Sequence, residues 1–318
     1  MSEVIDTVVI GAGPSALAAA VYTTREDIDT VLYEKGVIGG LAAITDMVDN
    51  YPGFPDGVEG MKLADQLQKQ AVRFGAKIEF GQADSLKLEE DGTKTVVVDG
   101  QPVHAKSVLI ATGSDYNKLG IPGEQELYGR GVHYCATCDG AFYREKRLVV
   151  VGGGNSAVQE AIFLTRFATH IDLLVRSTIK ASDVLQKDLQ KFVDEGKITI
   201  HLATVPTEVV AGSDGKVTHV NATTDGSEVV FETDGVFVFI GLKPNTQFLD
   251  GSGVELDEQG LIKTNGHLET NLSGVFACGD VRSGATMQIA SAVGEGATAA
   301  LSIREYLDEQ RQATEVTA

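Results

Sequence analysis

Two of the three cysteines in this chain stand two residues apart in "HYCATCDGAFY" (133–143), and an acid follows the second directly. A Cys-x-x-Cys pair can supply half of a zinc site, staple a loop as an inert disulfide, or cycle between dithiol and disulfide. Zinc wants four ligands, yet Cys278 is far along the chain and none of the six histidines makes a His-x₃₋₅-His partner. His133, beside the pair, reads as a loop histidine. Redox cycling fits better, because this spacing favours the thiolate, which is the attacking species. Asp139, next after Cys138, can then protonate the leaving thiolate of a substrate disulfide, which is general acid work. Its plainer role would be a turn or cap aspartate before Gly140. Cys278, in "FACGD", reads as a small buried apolar residue.

A cycling disulfide needs a source of electrons, and two glycine motifs offer one. Gly11, Gly13 and Ala16 form G-x-G-x-x-A between a strand pattern and an Ala-rich helix pattern. The first glycine allows the tight turn, and the second lets backbone approach a pyrophosphate. The small third residue lets helix and strand pack, while the helix N-terminus supplies amides. Glu34 closes the following strand, where an acid can accept hydrogen bonds from an adenosine ribose. Gly152, Gly154 and Ala157 repeat the motif, with Asn155 and Ser156 opening its helix as further candidate nucleotide contacts. Its second strand ends in Val175, Arg176, Ser177 and Thr178 rather than an acid. Ordinary NAD recognition is therefore not written there, whereas Arg176 and the nearby Lys180 could hold a 2′-phosphate. Two such sites in one chain suggest a flavin and a nicotinamide exchanging hydride.

The elements that must position these residues are written twice. "DTVVIGAGPSALAAAVYTTR" and "RLVVVGGGNSAVQEAIFLTR" each give strand, glycine turn and helix, and "DTVLYEKG" and "HIDLLVRS" each add a second strand. Short β runs broken by Asp-Gly turns follow in both halves, a hairpin signal, before each half closes on an apolar strand, "VLIATG" or "GVFVFIG". The reading is α/β: two Rossmann-like dinucleotide-binding domains, each three-layered with a small antiparallel meander, the second inserted into the first. The boundaries expected from Gly and Pro punctuation put the flavin domain at 1–114 and 247–318, and the nicotinamide domain with the cysteine pair at 115–246. The closing "DEQRQATEVTA" is polar and expected to fray.

Bulk properties agree. The 318 residues suffice for two domains at roughly 100–200 residues each. Hydrophobic content of 43% and charged content of 22% suit a soluble protein. No apolar run nears the roughly 18 residues that cross a bilayer, and the N-terminus lacks a basic leader. Three cysteines suggest a reducing cytoplasm. The net charge of −19 argues against nucleic acid as a partner; acid is spread along the chain, as for solubility or a salty cytoplasm.

Over almost its whole length the sequence resembles the low-molecular-weight, bacterial-type thioredoxin reductases. The resemblance rests on "GAGPSALAAAVYTTR", "VDNYPGFPDGVEG", "IATGSDYNKLGIPGE", "GVHYCATCDGAFYR", "VVVGGGNSAVQEA", "GLKPNT" and "GVFACGDV". It implies FAD contacts at Gly11, Gly13, Ala16, Glu34, Gly39, Gly40, Asn50, Thr112, Asp280, Gln288 and Ile289. It implies that Cys138 is the sulfur beside the flavin, that Cys135 attacks the partner's disulfide, and that Asp139 is the acid. It also implies NADPH as donor, thioredoxin or a thioredoxin-like protein as substrate, and a homodimer. Three positions depart from the family pattern. Val175 and Ser177 replace the His and second Arg of its His-Arg-Arg signature, leaving Arg176 and Lys180. Met287 replaces an Arg before the flavin-contacting Gln, and Leu41 replaces a Gln after Gly39-Gly40. Those changes keep NADH, ferredoxin or reduced flavin in play as donors. A flavin-dependent dithiol oxidase and a non-catalytic redox sensor are the competing functions.

Overall fold

Val8, Val9 and Ile10 alternate between two buried faces of a strand, and that alternation organises the first of two structural units. The computed structural model describes residues 4–45 and 47–317, with side chains in the last helix up to residue 313. The first unit comprises 1–115 and 243–318, the second 116–242. The chain passes between them in Ser114–Tyr116 and Leu242–Pro244, two short strands that pair with each other.

In the first unit, Ile5–Ile10 lies between Thr30–Glu34 and Gln101–Ile110 and runs parallel to both. Lys77–Phe80 adds a parallel edge beyond Thr30–Glu34. The ten-residue strand Gln101–Ile110 divides its other edge. Its first half pairs antiparallel with Lys94–Val98, and its second half pairs parallel with Val275–Ala277. The C-terminal segment thus completes the sheet begun at the N-terminus. Ala83–Leu88 continues the antiparallel end, so the hairpin extends the main sheet instead of forming a separate layer. Asp99 and Gly100 both take positive φ, 47° and 74°, as a tight hairpin turn requires.

One face of this sheet buries Val9, Leu32, Leu109 and Phe276 against Leu17 of helix Pro14–Arg25 and Ile303 and Leu307 of helix Ile289–Thr317. The opposite face buries Val8, Ile10, Val108 and Val275 with Leu249, Ile262 and Val281. Each such side chain, fully buried, contributes roughly 1.5–3 kcal/mol. Lys94 is 1% exposed beside the last helix. Its Nζ lies 2.6 Å from the Tyr306 hydroxyl and 4.7 Å from that ring's centre, and desolvation lowers its pKa to about 8. The closing segment is part of the helix Ile289–Thr317. Glu, Gln, Arg and Ala in "DEQRQATEVTA" are good helix formers, and Arg311 reaches Asp308 one turn earlier at 3.6 Å.

The second unit holds a five-stranded parallel sheet in the order Val132–His133, Gly235–Val238, Arg147–Val151, His170–Leu174, Ile198–His201. Leu148, Val150, Leu173 and Phe237 face Val158, Ala161 and Leu164 of helix Asn155–Leu164 and Leu189 of helix Asp183–Asp194. Val149, Val151 and Val236 face a separate antiparallel sheet of Thr204–Ala211, Val217–Thr224 and Ser227–Glu232, packing on Val209, Val220 and Phe231. Helices, parallel sheet and meander make three layers. Among the described residues no helix is long and apolar enough to cross a membrane.

Candidate functional site

The two glycine turns divide their labour in the same way. Gly11 has φ 104°, and a Cβ there would fall 2.5 Å from the Ala111 carbonyl oxygen; Gly152 has φ 144°, and its Cβ would fall 2.3 Å from the Phe239 carbonyl oxygen. In each unit the first glycine lets the turn pass under the backbone that leaves a neighbouring parallel strand. The second glycines differ. Gly13 and Gly154 have extended backbone at the heads of their helices, and a Cβ at either meets no protein atom within 4 Å. The protein does not require glycine there; open space above helix amides is what a pyrophosphate requires. Ala16 and Ala157, the third members, are fully buried.

Around the first turn the residues suit a flavin dinucleotide. The Glu34 carboxylate accepts hydrogen bonds from the backbone amides of Ala12, at 2.8 Å, and Gly36, at 2.7 Å, which orients it at the end of its strand. A cavity of about 280 Å³ opens beside it, lined by Gly11, Glu34, Lys35, Thr112, Asn245 and Phe248 among others. Thr112 and Asn245 tie the cavity wall: Thr112 Oγ1 donates to the Asn245 carbonyl at 2.8 Å, and Asn245 Nδ2 donates to the Thr112 carbonyl at 3.1 Å. Gly39 donates its amide to the Ala12 carbonyl at 2.8 Å, and a Cβ on Gly40 would lie 3.7 Å from Gly13 Cα. Gly39 and Gly40 therefore border the same turn. Asn50 Nδ2 donates to Gln288 Oε1 at 3.0 Å, just before the last helix begins at Ile289. Asp280 is largely withdrawn from water, and burial, with the nearby Glu295 charge, pushes its carboxyl up to about 6.

Two residues at this site carried no sequence signal. Arg282 donates through Nη2 to Glu295 Oε1 at 2.6 Å and through Nε to Glu295 Oε2 at 3.1 Å, and the Gly279 amide donates to the same carboxylate at 2.8 Å. This half-buried clasp ties the "CGD" turn to the last helix, thirteen residues away, at a separation with no local pattern to reveal it. Cys278 is fully buried with its thiol pushed up to about 12 by desolvation.

In the second unit, Val175 is 2% exposed and packs in the core, while Arg176 and Lys180 are exposed. The segment that follows folds back on the glycine turn: the Lys180 amide donates to the Gly153 carbonyl at 2.7 Å. Asn155 is committed in part to this arrangement, since its Oδ1 accepts from the Ser182 amide at 2.9 Å. Ser156 is exposed on the first turn of the helix.

Cys135 and Cys138 are bonded to each other with Cα atoms 5.3 Å apart. Cys135 caps the short helix Ala136–Asp139, and its sulfur accepts from the Cys138 amide at 3.2 Å. Both cysteines are half-buried, which leaves them open to exchange chemistry. Asp139 is the last residue of that helix, and its Oδ2 lies 3.2 Å from His133 Nδ1. His133 is therefore no loop histidine. It sits in the edge strand Val132–His133, 6% exposed, with its ring stacked on Phe237 and its Nε2 2.7 Å from the Tyr143 hydroxyl. Burial foremost, then the charges of Asp139 and Asp234, raise the Tyr143 pKa, so its hydroxyl keeps its proton.

Known proteins resemble this chain over nearly its whole length. The family model for pyridine nucleotide-disulphide oxidoreductases matches residues 5–296. The thioredoxin reductase of Listeria innocua is 42% identical over 321 residues, covering 99% of this chain and 98% of that protein. The thioredoxin reductase of Bacillus subtilis is 41% identical over 319 residues, 98% of each. The crystal structure of thioredoxin reductase from Streptococcus pyogenes superposes with a TM-score of 0.91 at 36% identity, covering 97% of this chain and 100% of that one.

Proposed function

This chain belongs to the pyridine nucleotide-disulphide oxidoreductase family, and from that premise we propose that it is an FAD-dependent thioredoxin-disulfide reductase. The observation that carries the reading is the Cys135–Cys138 disulfide, half-buried and flanked by Asp139, in a chain that also builds two open glycine turns. Bound FAD supplies two-electron chemistry, taking a hydride from a nicotinamide and giving electrons to a disulfide. The first unit would hold it through the Gly11–Gly13 turn, Glu34, the Gly39–Gly40 bend, Thr112, Asp280, and the Asn50–Gln288 pair at the head of the helix that begins at Ile289. Glu34, fixed by two amides, presents lone pairs toward the adenosine end of the cavity.

The roles at the cysteine pair follow the same reading. Cys135 attacks the partner's disulfide, Cys138 closes the internal bond again, and Asp139 protonates the departing thiolate. Between dithiols whose potentials lie within about 30 mV, the exchange is biased by no more than about tenfold, or about 1.4 kcal/mol for two electrons. Access to the pair therefore matters more than driving force.

The donor is a nicotinamide nucleotide seated on the Gly152–Gly154 turn, with Asn155 and Ser156 at the helix head. Val175 is turned into the core, so Arg176 and Lys180 are the cations of this strand end that can meet a 2′-phosphate. Each missing charge-assisted contact weakens binding by about 1.5–3 kcal/mol, so we expect a weaker preference for NADPH over NADH than a full basic cluster gives. The partner is a thioredoxin or thioredoxin-like protein, and kinship with the bacterial enzymes supports a cytoplasmic homodimer. The test is anaerobic stopped-flow reduction of the holoenzyme by NADPH and, separately, NADH, followed by turnover with an oxidised thioredoxin. Rapid flavin bleaching by a nicotinamide and thioredoxin reduction that requires both cysteines are the expected results. A flavin that bleaches with neither nucleotide refutes the donor; a reduced enzyme that cannot reduce thioredoxin refutes the function.

A further inference from the structure

Three side chains from separate positions meet behind the cysteine pair. His133 Nδ1 lies 3.2 Å from Asp139 Oδ2, and His133 Nε2 lies 2.7 Å from the Tyr143 hydroxyl. The imidazole cannot easily turn away, because Phe237 stacks on it at 5.2 Å and the Tyr143 ring meets it edge-on at 5.3 Å. Tyr143 is seated in turn against Gly235, where a Cβ would fall 2.4 Å from its ring. The charged groups around the cluster are Asp139 and Asp234, the latter paired with Lys146 at 3.2 Å and accepting from the Arg147 amide at 3.0 Å. In the tautomer whose Nε2 accepts from the Tyr143 hydroxyl, Nδ1 carries the ring proton and turns it toward Asp139.

We propose that His133 is the positioning partner of Asp139: held from behind by Tyr143 and Phe237, it fixes the carboxyl beside the cysteine pair and shares with it the proton that the partner's leaving thiolate takes. This rests on the thioredoxin reductase reading. In the exchange, the Cys135 thiolate bonds one sulfur of the partner's disulfide. The S–S bond breaks, and the second sulfur leaves and takes the shared proton. Cys138 then returns its own proton to the Asp139–His133 pair and attacks Cys135, re-forming the internal disulfide and releasing the partner's other sulfur as a thiolate. The two electrons the partner gains are those the cysteine pair loses.

The test is single-turnover reoxidation of the flavin. Holoenzyme reduced anaerobically with dithionite is mixed with an oxidised thioredoxin from about pH 5 to about pH 9, the span over which imidazole titrates. Reoxidation by ferricyanide, which bypasses the cysteines, normalises each variant. His133→Phe should slow thioredoxin reduction by about tenfold or more at neutral pH, a part of the 10²–10⁴ a positioned acid contributes, and should move the alkaline fall of the rate to lower pH. His133→Asn, whose amide can still donate to Asp139, should recover most of the rate but not the pH profile. The double variant His133→Phe/Asp139→Asn should be no slower than Asp139→Asn alone, because the two act as one unit. A His133→Phe enzyme with wild-type rate and pH profile, or losses that multiply in the double variant, overturns the proposal. A wild-type enzyme that thioredoxin leaves reduced overturns the functional reading, and this inference with it.

Discussion

A methyl group placed at Gly13 separates what the fold needs from what the ligand needs. Gly13 has φ −74° and ψ 179°, backbone that alanine adopts freely, and its Cβ would meet no heavy atom within 4 Å. Gly13→Ala should therefore leave the apoprotein as stable as wild type or add about 0.4–1 kcal/mol by restricting the unfolded chain. Gly11→Ala is the contrast. Its φ of 104° and a 2.5 Å approach to the Ala111 oxygen combine left-handed strain of roughly 1–2 kcal/mol with overpacking of roughly 1–3 kcal/mol. The expected loss is about 2–5 kcal/mol, a large share of the stability of an ordinary domain. At Gly13 the methyl occupies the approach to the helix amides. Each charge-assisted bond it displaces costs about 1.5–3 kcal/mol, or about ten- to a hundredfold in FAD affinity. The assay pairs urea unfolding of the apoproteins with flavin titration by fluorescence quenching. Gly13→Ala should lose flavin but not stability, and Gly11→Ala should lose stability first. A Gly13→Ala protein that binds FAD as wild type does would refute the assignment of that open space to a pyrophosphate.

The same substitution at Gly154 should keep the flavin and slow its reduction by NADPH and NADH alike, measured by stopped flow. Arg176→Ala should raise the NADPH concentration for half-maximal flavin reduction by about tenfold and leave NADH unchanged; an equal effect on both nucleotides would remove Arg176 from 2′-phosphate recognition. Lys94 has its folded pKa lowered from 10.5 to about 8 by desolvation, so below pH 8 the folded state carries a penalty that is relieved as pH rises toward 10.5. The full shift corresponds to about 3 kcal/mol. That value is net of the opposing Glu269 charge, so Lys94→Met should raise the urea midpoint at pH 7, with the advantage shrinking by pH 10. Finally, iodoacetamide should label two cysteines in the reduced native protein and the third only in urea, since Cys278 is fully buried with its thiol near 12; native labelling of Cys278, read by peptide mass, would contradict its burial.

Features carried by short spacing are legible in the chain before it folds. The strand, glycine turn and helix written at 6–25 and 147–166 are local patterns. So are the Asp-Gly hairpins, whose turn residues Asp99, Gly100, Asp225 and Gly226 all take positive φ. The Cys-x-x-Cys pair with Asp139 is legible for the same reason, because its chemistry depends on neighbours three and four residues apart. Tertiary structure alone decided matters that depend on distant backbone. Gly11 and Gly13 are the same letter, and only the Ala111 carbonyl, a hundred residues away, makes the first a requirement of the fold while leaving the second to a ligand. His133 looked like a loop residue because its strand has two residues and exists only by pairing with Gly235–Val238. That pairing buries the ring and turns it toward Asp139. The Arg282–Glu295 clasp and the split edge of Gln101–Ile110 are likewise invisible to periodicity. Periodicity reports which face of an element is buried. Which polar groups then meet in the interior is set by where the chain returns.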